Sequence, residues 1–110
     1  MSDYLRAGTF RTQLNTPFRV HLSPITAVEV ELVEVTEKGV LDGEQRPAAA
    51  RQERFSLVFR GPRGEPLQQG MYQMQHNQLG AFDLFLVPVG QDHDGVYYEA
   101  VFNRLRRLDA

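Results

Sequence analysis

At 110 residues, with 42% apolar and 24% charged side chains and a net charge of −2, the chain has the material for one globular core. The absence of cysteine excludes disulfides and thiol chemistry, and twelve basic against fourteen acidic residues give no excess for nucleic acid. The opening residues Met1–Phe10 carry Asp3 and Arg6 and no apolar run, so neither a signal peptide nor a membrane span is expected and a cytoplasmic protein is the default.

In chain order, Met1–Asn15 has Tyr4, Leu5 and Phe10 as anchors without a clear period, which suits a short helix or turn covering one end of a barrel. Thr16–Leu22 alternates, with Phe18, Val20 and Leu22 on one face and Arg19 and His21 on the other, and Ser23-Pro24 turns the chain. Ala27–Glu37 is a strand in which Val28, Val30 and Leu32 point one way and Glu29 and Glu31 the other. Val33 and Val35 then fall out of phase, which predicts a β-bulge after Leu32. Lys38–Glu53 breaks the rhythm with two glycines, a proline and several charges, and reads as a mobile loop.

Arg54–Arg60 alternates again, placing Phe55, Leu57 and Phe59 inward and Arg54, Ser56, Val58 and Arg60 outward; Gly61-Pro62-Arg63-Gly64 follows as a turn. Gly70–Gln75 is a more polar strand with Tyr72 and Met74 on one face and Met71, Gln73 and Gln75 on the other. Ala81–Val89 sets Phe82, Leu84 and Leu86 against Asp83, Phe85 and Val87, and Pro88 argues for a strand edge or end. Gln91–Gly95 is a hairpin turn, Val96–Phe102 the last strand, and Arg104, Arg106 and Arg107 a short basic tail. The expected fold is therefore a single all-β domain over residues 1–110, a small antiparallel barrel or compact sandwich of about six strands.

Chemistry is nearly silent. His21, His76 and His93 have no ready-made metal-ligand spacing, and Asp92, Asp94 and Gly95 lack the rest of a calcium loop. Ser2, Ser23 and Ser56 sit in no nucleophile elbow, and Gly61–Gly64 is no phosphate loop. No catalytic residue, metal site or cofactor is expected. The segment Pro66–His76 is rich in amides and thioethers and poor in charge, the composition of a contact surface, which makes Met71, Gln73 and Gln75 candidates for binding another protein or a second copy. The alternative is a small-molecule barrel with Tyr72, His76 and Tyr98 around an open interior, although six strands leave little room for one.

Phe-x-Leu-x-Phe at Phe55–Phe59, Gly61-Pro62, Pro66-Leu67, Gln69-Gly70-x-Tyr72, His76, Leu84–Val89 and Tyr98–Asn103 occur in an order that resembles a family of small uncharacterised bacterial β-domain proteins. Members of that family often accompany phage-tail-collar-like proteins, so the resemblance implies a structural or accessory role without catalytic residues. It also implies turns at Gly61-Pro62 and Gln69-Gly70, core positions for Tyr72, Phe85 and Phe102, and a structural hydrogen bond from His76 to a neighbouring strand.

Overall fold

The structure, a computed structural model, describes residues 5–37 and 50–107. A short helix, α1 (Ala7–Arg11), precedes six strands: β1 (Pro17–Ser23), β2 (Thr26–Glu37), β3 (Ala50–Gly61), β4 (Gly70–His76), β5 (Gly80–Asp92) and β6 (Gly95–Arg107). All neighbouring strands run antiparallel and close into a barrel in the order β1-β2-β3-β6-β5-β4. Closure removes the free sheet edges that an open arrangement of the same strands would leave.

Two three-stranded meanders, β1–β2–β3 and β4–β5–β6, meet along the β3–β6 and β1–β4 seams. Each central strand changes partner midway. β2 pairs with β1 from Thr26 to Glu31 and with β3 from Glu31 to Glu37, and its register shifts between Leu32 and Glu34. β5 pairs with β4 from Gly80 to Leu86 and with β6 from Val87 to Asp92, shifting between Pro88 and Gly90. The irregularity expected after Leu32 is the first of these, and beyond it Val35 packs against the core. Such bulges bend and twist a strand, which is what sharing it between two neighbours in a narrow barrel requires. Pro88 is not at the end of β5, but it lies past Leu86, where the pairing with β4 stops, so one side of the strand is an edge there, as its missing donor suggested; the second bulge follows it.

Phe18, Val20, Val30, Leu32, Phe55, Leu57, Phe59 and Met74 fill the interior and are essentially without solvent contact. At one end Phe10 of α1 packs against Phe55, Phe82 and Phe102, and Leu5 is also buried. Asn15 takes a positive φ of 67° where the chain turns from the helix towards β1, a conformation asparagine tolerates, and its N–H donates to the Leu32 carbonyl at 2.7 Å. At the other end the 62–69 connection crosses from β3 to β4. Two tyrosines hold it: the Leu67 N–H donates to the Tyr98 hydroxyl at 2.9 Å, and the Tyr72 hydroxyl donates to the Gln68 carbonyl at 2.6 Å.

Several expectations are corrected by the strand pairing. β3 begins at Ala50, so residues 50–53 of the anticipated 38–53 loop pair with β6; residues 38–49 lie outside the described residues, as does the expected anchor Tyr4. The same rungs, Ala50↔Arg107 to Glu53↔Arg104, put Arg104, Arg106 and Arg107 in a strand rather than a tail. Backbone rungs need no apolar side chain, so hydrophobic alternation stops reporting before the strands do. Leu22 does not stay inward: the register shifts after His21 and leaves it 43% exposed. Phe85 points out with Asp83 and is no core residue, whereas Tyr72 and Phe102 do pack against the core. Ser56, expected outward, is buried, with Thr36 and Val101 as its cross-strand neighbours.

Candidate functional site

The outer wall of β1, β4 and β5 gathers the exposed residues of the amide-rich strand. Register places Arg19, Gln75 and Ala81 in one row, His21, Gln73 and Asp83 in the next, and Met71 beside Phe85 in a third. Met71 is 65% and Phe85 46% exposed. A closed barrel has only one outside, so side chains that alternate against a filled interior must stand here. Towards the β1–β2 turn the wall dips into an open groove of about 540 Å³ lined by His21, Leu22, Ser23, Pro24, Gln73, Gln75 and Ala81. His21 Nε2 and Gln75 Oε1 lie 3.0 Å apart, a diagonal hydrogen bond that fixes both side chains.

The three partner-binding candidates, Met71, Gln73 and Gln75, therefore share one face. The sequence reading missed His21, Phe85 and the groove-lining Leu22–Pro24 as their neighbours. Alternation marks His21 and Phe85 as outward-facing, but only the register of the β1–β4 and β4–β5 pairs brings them alongside. Chemically the wall offers hydrogen-bond donors and acceptors beside a thioether and an aromatic ring, with one cation and one carboxylate among its three rows. That mixture resembles the core of a protein contact more than a charged substrate site.

Tyr72, His76 and Tyr98, the alternative ligand set, do not converge. Both tyrosines hold the 62–69 connection at one end of β4, while His76 closes β4 at the other. His76 is buried, 4.3 Å from the Phe18 ring centroid, and all its ring nitrogens are engaged. Nε2 lies 2.9 Å from Thr16 Oγ1; Nδ1 receives the Gln78 and Leu79 N–H groups at 3.0 and 3.2 Å. The bond expected from His76 to a neighbouring strand thus reaches the residue just before β1. Burial, and secondarily the positive Arg19, hold its pKa below the ordinary 6.5. Among the described residues no buried side-chain nitrogen or oxygen lacks a partner.

Asp92, His93 and Asp94 crowd together in the β5–β6 turn with ligand-type atoms within 4.8 Å of one another, all exposed. The Asp92 carboxylate is already used by the turn: it accepts from the Asp94 N–H at 2.8 Å and from the Tyr97 hydroxyl at 3.1 Å. The Asp94 N–H is the main reason its pKa lies below the ordinary carboxylate value. The arrangement is an Asx turn closing a hairpin. No helix among the described residues is long and apolar enough to cross a membrane.

Compared with known proteins, the sequence matches the model of one family over residues 5–102, a domain of unknown function designated DUF6916. No curated protein and no solved structure matches it.

Proposed function

Because the chain belongs to the DUF6916 family, whose function is unassigned, we propose a role from its surface: a non-enzymatic protein-interaction module that docks through the outer wall of β1, β4 and β5. The observation that carries this reading is the pairing in register of two exposed apolar side chains, Met71 and Phe85, continuous with the uncharged Gln73–Gln75 groove. Methionine adapts to a partner, and aromatic and methionine side chains with few charges typify interface cores. The filled interior and the self-satisfied His76 and Tyr98 speak against a ligand chamber inside the barrel. On this reading the partner belongs to a phage-tail-like assembly, the association that the sequence resemblance implies, and the domain is a structural accessory there.

Met71→Asp combined with Gln73→Glu should abolish partner binding, at least about a hundredfold in Kd as expected for truncating a contact centre. Both positions are exposed, so the unfolding midpoint should change little. The partner is first defined by native mass spectrometry of the protein isolated from its host, with a photo-crosslinker at position 71 and a control at position 101, exposed on β6 across the barrel. Crosslinking at 71 alone, lost in the double variant, is the expected result. Retained binding in a folded double variant would sink the site, and a bound mass of a few hundred daltons instead of a protein would return attention to a small ligand.

A further inference from the structure

The described part of the barrel has one buried histidine, and it stands where two separate pieces of chain meet. On one side is the segment that leads from α1 into β1; on the other is the β4–β5 turn. His76 joins them. The Thr16 hydroxyl donates to the Gln13 carbonyl at 2.7 Å, so it has a lone pair, not its proton, to offer His76 Nε2 at 2.9 Å. Nε2 must then carry the ring proton. Nδ1 faces two backbone N–H groups, Gln78 at 3.0 Å and Leu79 at 3.2 Å, and must be bare. The neutral Nε2–H tautomer alone satisfies every partner. A second bond, Gln13 Nε2 to Gln78 Oε1 at 2.8 Å, spans the same two pieces and carries no titratable group.

We propose that His76 is a proton-operated latch on the helix-plugged end of the barrel, shut when neutral and released when Nδ1 takes up a proton. An Nδ1–H would point at two donors. Both turn bonds would be lost, and the imidazolium would be left against the Phe18 ring in a buried site. The Nε2–H···Thr16 bond survives protonation, so the β4–β5 turn is released while the α1–β1 segment stays held. Leu79, whose side chain belongs to the core cluster, is the residue drawn out with the turn. The charged group that acts on His76 among the described residues is Arg19 of β1, next to Phe18; its repulsion works in the same direction as burial. Thr16, Phe18, Gln78 and Leu79, the other groups around the ring, bring no charge to offset an imidazolium.

The direction follows from linkage. An open turn exposes His76 with an ordinary pKa near 6.5, above the value in the closed form. The latch is fully engaged above 6.5 and weakens as the pH falls through the interval down to the closed-state value, by about tenfold in the closing equilibrium per pH unit. The test is a wild-type NMR titration from about pH 8 to pH 5, following the His76 ring nitrogens together with exchange protection of the Gln78 and Leu79 amides. Expected are a bare Nδ1 at high pH and a fall in those two protection factors as His76 titrates, with the β3–β6 amides unaffected. His76→Gln, which presents an uncharged acceptor, should flatten the dependence. Protection that holds while His76 becomes charged, or an equal fall in a folded His76→Gln, would overturn the latch. The wild-type titration decides the matter even if the variant does not fold.

Discussion

Phe10→Ala is expected to cost about 3–5 kcal/mol and to lower Tm by more than about 12 °C. Phe10 has no solvent exposure, and its ring centroid lies 6.1, 5.9 and 5.7 Å from those of Phe55, Phe82 and Phe102. Those three rings come from β3, β5 and β6. The rungs that join β5 to β6 end at Val87↔Glu99, so Phe82 and Phe102 stand beyond the last of them. There a helical side chain supplies contact that backbone pairing does not. The cavity left by alanine cannot readily collapse, because Phe55 and Phe102 are stacked on each other at 4.4 Å and 9°. Urea and thermal unfolding of Phe10→Ala and Phe10→Leu check this, the leucine variant recovering most of the loss. A cost below about 1 kcal/mol for alanine would show that α1 is an ornament on the barrel rather than its stopper.

Gly95→Ala is the second large effect, at about 2–5 kcal/mol. Gly95 opens β6 with φ of 154°, and a Cβ there would run into the Gly61 carbonyl oxygen and come within 3.0 Å of Arg60 Cγ. The carbonyl is backbone, at the end of the twelve-rung β3–β6 seam, and has no rotamer to escape into. Gly90→Ala serves as control: nothing lies within 4 Å of the Cβ it would add, and a change of no more than about 0.5 kcal/mol is expected. Equal costs at the two positions, measured by urea denaturation, would mean that the seam yields freely and that the close approach does not constrain it.

Alternation in sequence was a sound guide along most of the core strands, with Leu22 and Ser56 as exceptions. Phe55, Leu57 and Phe59 are buried as their spacing requires, and the slip at Val33 is a true register shift. It was blind to the full strand length, as at Ala50–Glu53 and Arg104–Arg107, which the register pairs rung by rung. It was equally blind to which strands become neighbours. Nothing local in β3 specifies β6, or in β1 specifies β4, since both pairs are chosen by closure of the whole sheet. The candidate wall inherits that limit. Met71, Gln73 and Gln75 could be read from one strand, but His21 and Phe85 join them only through the register. His76 was legible as an inward position by its phase with Tyr72 and Met74; its acceptor role towards the turn was not, because it depends on where two amides point.

The handover of β2 and β5 from one neighbour to the next also bears on how the molecule forms. Each meander is local in sequence and can assemble early, whereas the β3–β6 seam joins residues as distant as Phe55 and Phe102 and waits on closure of a long loop. Until then β3 and β6 present complementary open edges. At high protein concentration another molecule's β6 can reach a waiting β3 before the chain's own does. Refolding should therefore slow or divert into exchanged dimers as concentration rises, with the two meanders as the units exchanged.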